Sequence, residues 1–191
     1  MDDISNLRDT ATPKSDQLNA DDLINTTKII RITGVKRGTS KEQPISIEYD
    51  NMQGRPFKPC KSMRRVLIAA YGEDGREWVG KSIKLYTDPN VIFGGVKVGG
   101  IRISHLSDID KTMSIMLSVS KGRREPVTVS KLPTYPQADF DQKATAWIEA
   151  IKAGKITLDQ VIEKASATGV LTATQIEFLK GAIKNEQIKA T

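Results

Sequence analysis

Cysteine and histidine are nearly missing: 191 residues hold one of each, Cys60 and His105. A lone cysteine forbids an intramolecular disulfide, and the pair cannot build a cysteine or histidine zinc cluster. The expectation is a reducing compartment, with no metal and no other cofactor. No apolar run approaches the roughly 20 residues of a membrane-crossing helix, and Met1-Asp2-Asp3-Ile4-Ser5 has neither the basic nor the apolar part of a signal peptide. A cytoplasmic protein without a membrane partner is expected. Catalytic constellations are also thin. His105 lies in Ser104-His105-Leu106-Ser107-Asp108, which has acid–base residue types but no spacing that implies a triad. Asp108 and Asp110 lack further carboxylates nearby for a cation. The chain reads as not an enzyme. Aromatics, at 5% of the residues, leave few rings for stacking on a ligand.

Positive charge, by contrast, is in excess and unevenly placed. The net charge is +6, and residues 55–131 alone carry 15 Lys/Arg against 7 Asp/Glu, a net +8, while residues 1–54 are at −2 and residues 132–191 are neutral. Such a block favours a polyanionic partner. Its densest part is Arg55-Pro-Phe-Lys-Pro-Cys-Lys-Ser-Met-Arg-Arg65, running into Val66-Leu-Ile-Ala-Ala70. Helical spacing predicts a helix from Pro59 to about Gly72, with Lys61, Arg64 and Arg65 on one face and Met63, Val66, Leu67 and Ala70 on another. A cation near a helix N-terminus costs about 0.3–1 kcal/mol when exposed. A phosphate flanked by Lys58 and Lys61 would reverse that sign; solvated surface charge is the alternative.

Residues 1–22 are polar, lack an apolar period, and read as a mobile tail. Strands are predicted over 28–33, ending at Gly34, and over 45–49. Short strands follow the helix, around Ile83-Lys-Leu-Tyr86, Val91-Ile-Phe93, Ile101-Arg-Ile103, Met113–Val119 and Val127–Val129. Between them lies Gly94-Gly95-Val96-Lys97-Val98-Gly99-Gly100, whose glycines suggest bulges, tight bends or close approach of a ligand. This pattern predicts a domain over 23–132 that is a small curled β-barrel or an α+β sheet with one internal helix. Residues 133–139 read as a linker. Residues 140–188 read as a three-helix module, with capping boxes at Thr157–Gln160 and Thr172–Gln175 and Trp147 in its core.

Gly75-Arg-Glu-Trp-Val-Gly-Lys-Ser82 fits the phosphate-cradling pattern G-x-x-x-x-G-K-[ST], but a helix precedes it and a strand follows, the reverse of the context that motif needs. On the sheet, alternation sends Lys84, Tyr86 and Arg102 outward if Ile83, Leu85, Ile101 and Ile103 point inward. Together with Lys97, and with Trp78, Tyr86 or Phe93 as π-faces, they make a candidate surface for single-stranded nucleic acid.

The run Lys58-Pro-Cys-Lys-Ser-Met-Arg-Arg-Val-Leu67, followed by Trp78-Val-Gly-Lys81, Leu85-Tyr86, Gly94-Gly95 and Val98-Gly-Gly-Ile-Arg-Ile-Ser-His105, resembles a family of small, largely uncharacterised proteins of bacteriophages and prophages. The resemblance covers about residues 25–132. It implies a phage setting inside a bacterial host, and such proteins are similar in size and setting to phage single-stranded-DNA-binding proteins with OB-fold cores. The resulting expectation is an α+β chain, an OB-like barrel followed by the helical module. It would bind single-stranded DNA through Lys58, Lys61, Arg64, Arg65, Lys84, Lys97 and Arg102, with Trp78, Tyr86 and Phe93 as rings. The module would serve self-association or a replication or recombination partner. The rival expectation is a phage protein that binds and inhibits a host defence or replication protein. A nucleotide-processing enzyme ranks last.

Overall fold

The computed structural model describes residues 15–120 and 122–184. The chain is α+β and divides into two compact units between Ser130 and Lys131. In the first unit, β1 (Thr27–Arg37), β2 (Ile45–Tyr49), β3 (Ser82–Asp88), β6 (Gly100–Leu106), β7 (Met113–Ser120) and β8 (Arg123–Lys131) form one sheet in the order β2-β1-β3-β6-β8-β7. The short strands β4 (Ile92–Phe93) and β5 (Val96–Lys97) make a separate hairpin. Among the described residues no ladder closes β2 onto β7, so the sheet is open.

The long first strand changes partner along its length. Thr27 to Arg31 pair with β3, whereas Ile32 to Arg37 pair with β2 across an irregularity between Ile32 and Gly34. Gly34 was expected to end the strand. It is instead the site of a bulge, where a Cβ would sit 3.0 Å from the Glu48 carboxylate, so the missing side chain lets the strand bend without leaving the sheet.

One helix, α1 (Lys61–Tyr71), covers the sheet. The predicted spacing holds: Met63, Val66, Leu67 and also Tyr71 are buried, while Lys61, Arg65 and Ile68 are exposed. Each fully buried side chain of this size is worth about 1.5–3 kcal/mol. They pack on Ile30, Ile32, Ile47, Ile83, Leu85, Ile103 and Leu106. On β3 the expected alternation is met, with Ile83 and Leu85 buried, Lys84 half-buried and Tyr86 exposed.

Of the stretch read as a mobile tail, residues 1–14 lie outside the described residues, and residues 15–22 depart from that reading. Leu18 and Leu23 are buried in the core, and Ala20–Leu23 forms a 3-10 turn. Arg55 clamps Asp22 with two hydrogen bonds of 3.0 and 2.6 Å, and the Leu18 amide donates to the Pro56 carbonyl at 3.0 Å. These partners lie more than thirty positions away in the chain, so local composition could not reveal them.

The second unit holds α2 (Gln137–Lys152), α3 (Leu158–Ala165) and α4 (Ala173–Lys184). Both capping boxes form. Thr157 and Gln160 exchange bonds of 3.2 and 2.9 Å, and Thr172 and Gln175 exchange bonds of 3.2 and 3.0 Å. Trp147 meets Tyr135 and Phe140 edge-on within this core. The segment expected as a linker belongs to the unit: Thr134 bridges Val170, Tyr135 is buried, and the buried Gln175 amide donates to the Tyr135 carbonyl and to Gln137. Positions 185–188 of the expected module lie outside the described residues.

Candidate nucleic-acid interface

The cationic stretch is held in place by its neighbours on both sides. Phe57 is buried and exchanges two backbone hydrogen bonds with Ile47, of 2.8 and 2.9 Å, which sets Lys58 at the sheet's edge. Beyond Pro59, α1 begins with Cys60 at its N-cap; the Cys60 side chain accepts no bond from the helix, and the first turn contains no acidic residue. Two sulfur contacts dock this helix start onto β6. The Arg102 Nη1 donates to Cys60 Sγ at 3.2 Å, and the Ile103 amide donates to Met63 Sδ at 3.3 Å.

The result is a groove of about 760 Å³. The helix start supplies Lys58, Cys60, Lys61 and Ser62; Gly99 to Arg102 form its floor; Val91, Ile92 and Val98 come from the hairpin; Gln17 to Asp21 form the remaining rim. Lys58, Lys61 and Arg102 therefore converge, although more than forty positions separate the first from the last. Two of these cations already have partners. Lys58 Nζ meets the Asp16 carboxylate at 2.6 Å, and Arg102 Nε lies 3.8 Å from Asp88. The Asp16 side chain is 83% exposed and that of Lys58 12%, so the pair lies open to solvent on its Asp16 side. The hydrogen bond from Lys58, followed by its charge, holds the Asp16 carboxyl below its ordinary range.

The other expected contacts are dispersed. Arg64 donates to the carbonyls of Pro59 and Glu42 at 3.0 and 3.3 Å, and Arg65 is exposed farther along α1. Lys97 donates to Asn90 at 3.3 Å. Lys84 sits on the outer side of β3 opposite His105, whose imidazole accepts or donates a 3.0 Å bond with Ser104. Partial burial, then the Lys84 charge, depresses the His105 pKa. Tyr86 stands directly across from Arg102 in the β3–β6 ladder and borders a separate depression with Thr26 and Thr87. Burial, then Asp88, raises its phenol pKa. Trp78 requires a correction: it is buried in the core, with its indole nitrogen donating to the Gly72 carbonyl at 3.0 Å, so it offers no ring to a ligand. Phe93 is placed by its backbone in β4, paired with Val96.

Gly75 to Ser82 forms no phosphate loop between strand and helix. Gly75–Trp78 is a 3-10 turn, Ser82 opens β3, and Lys81 Nζ lies 4.3 Å from the centre of the Tyr71 ring. No helix among the described residues is long and apolar enough to cross a membrane. Sequence reasoning missed the groove's apolar lining, Val91, Ile92 and Val98, because a short Gly-bounded segment has no period long enough to assign its faces. Comparison with protein-family models, curated proteins and solved structures gives no match.

Proposed function

We propose that the first unit binds single-stranded DNA in this groove, as an accessory factor of phage replication or recombination, with no chemistry of its own. The observation that carries the reading is the convergence of Lys58, Lys61 and Arg102 on one groove within the segment of net +8. Three cations from two separate stretches, Lys58 and Lys61 at the helix start and Arg102 on β6, form a track for a polyanion, and the uncapped start of α1 adds its partial positive charge. In the same proposal the sheet is OB-like: β1, shared between two partners at a bulge, is the kind of strand by which a sheet curls toward a barrel. The helical unit would serve self-association or a protein partner.

The test is titration of a labelled oligothymidylate at two salt concentrations. Three phosphate contacts on single-stranded DNA give a slope of log K against log salt of about −2. Lys61→Glu, at an exposed position, should weaken binding and reduce that slope by about 0.7. Asp16→Asn removes the competing carboxylate and should tighten binding by up to about fivefold, the equivalent of one surface ion pair. Absence of binding at low salt overturns the reading. The rival, an acidic protein surface, has one observation in its favour: Lys58 already donates to a carboxylate, that of Asp16. A partner recovered from host lysate after nuclease treatment would support it.

A further inference from the structure

The groove is lined by two chemically different sets of side chains. Lys58, Lys61 and Arg102 are one; Val91, Ile92 and Val98, on and flanking the β4–β5 hairpin, are the other. That hairpin is unusually apolar for a projecting ribbon: Ile92 is 61% exposed, Val96 63% and Val98 54%. Its tip is Gly94-Gly95, with φ of 60° and 83°, a turn that side chains would strain. Its base is fixed. The amides of Val98 and Gly99 both donate to the Val91 carbonyl, at 3.0 and 3.2 Å. Val91 lies over Gly100, where a Cβ would come within 2.9 Å of it. The β3–β6 ladder ends at the pair Asp88 and Gly100, so the hairpin continues that ribbon beyond the sheet and along the groove.

Exposed aliphatic side chains on an anchored ribbon have no core to join, and the groove that Ile92 and Val98 line also carries three cations. From this asymmetry we infer that the hairpin is the base-side wall of the nucleic-acid site: phosphates run along Lys58, Lys61 and Arg102, and unstacked bases lie against Ile92 and Val98. The inference rests on the single-stranded DNA reading above and adds an orientation to it. Contact with aliphatic side chains reads no hydrogen-bonding edge, so binding through this wall is tolerant of sequence and requires bases to be present. A duplex, whose bases are stacked inward, presents them poorly to such a wall.

The experiment pairs two oligonucleotides with two forms of the full chain. The probes are a labelled oligothymidylate of about 16 nucleotides, within the range a small binding domain covers, and an abasic oligomer of equal length and charge. The protein forms are the wild type and Ile92→Ser/Val98→Ser, with circular dichroism confirming an unchanged fold. The wild type should prefer the base-bearing oligomer by about tenfold, about 1.4 kcal/mol. The double variant should lose that preference while keeping the abasic affinity and its salt slope. A variant that keeps the full preference overturns the inference, as does a wild type that binds both oligomers equally; both leave DNA binding itself intact. A wild type that binds neither oligomer at low salt overturns the DNA reading, and the inference with it.

Discussion

Tyr71 ties the helix to the sheet. It is buried at the end of α1, its hydroxyl donates to the Ser107 carbonyl at 2.9 Å, and Lys81 lies over its ring. Burial, with the Asp108 charge adding to it, raises the phenol pKa well above the ordinary 10.0. The folded state therefore keeps a proton that the unfolded chain releases near pH 10. Stability from this group is full below that value and falls as pH rises above it. Tyr71→Phe removes the titration and leaves the Ser107 carbonyl short of a donor, which costs about 1 kcal/mol at neutral pH. Urea unfolding at neutral and at alkaline pH should show the gap between variant and wild type narrowing above pH about 10. A gap of constant size would mean that Tyr71 ionises as freely in the folded protein as in the unfolded chain.

At the scale of elements, α3 and α4 each start with a reciprocal threonine–glutamine cap. Losing the threonine oxygen leaves an amide of the first turn without its partner. Thr157→Ala and Thr172→Ala should each destabilise the second unit by about 1 kcal/mol. Thr172→Ala is expected to be the larger of the two, because Gln175 is buried and also holds the Tyr135 carbonyl, whereas the Thr157 cap is exposed. Denaturant midpoints followed by Trp147 fluorescence check both size and order. These caps were legible in sequence because their geometry spans only four residues, and α1 was legible because its apolar spacing repeats over three turns. Elements fixed by distant partners were not. Residues 15–22 look like a tail until Arg55 meets Asp22, residues 133–135 look like a linker until Val170 and Gln175 hold them, and Trp78 looks like an exposed ring until Gly72 accepts its N–H. The candidate site divides the same way. Alternation separates Lys84 and Tyr86 from the buried Ile83 and Leu85, but only the tertiary contact of Cys60 brings Arg102 to Lys58 and Lys61.

For the whole molecule, the two cores share no residue: the first runs from Leu18 to Val129 and the second from Tyr135 to Leu179. The chain's two tryptophans fall one to each, Trp78 in the first and Trp147 packed on the second. Each unit thus carries its own optical reporter. In Trp147→Phe the remaining indole follows the sheet unit, and in Trp78→Phe it follows the helical unit. Adding Leu179→Ala, which empties a fully buried site in the second core, should cost that unit about 2–5 kcal/mol. If each core is an independent cooperative unit, the Trp147 transition moves to lower denaturant and the Trp78 transition stays where it was. Leu67→Ala in α1 should do the converse, since Leu67 is fully buried in the first core. Both transitions shifting together in either variant would show that the units unfold as one. In that case damage to the helices would also weaken the proposed oligonucleotide binding of the first unit, whereas independent units would leave that binding in the Leu179→Ala protein at its wild-type strength.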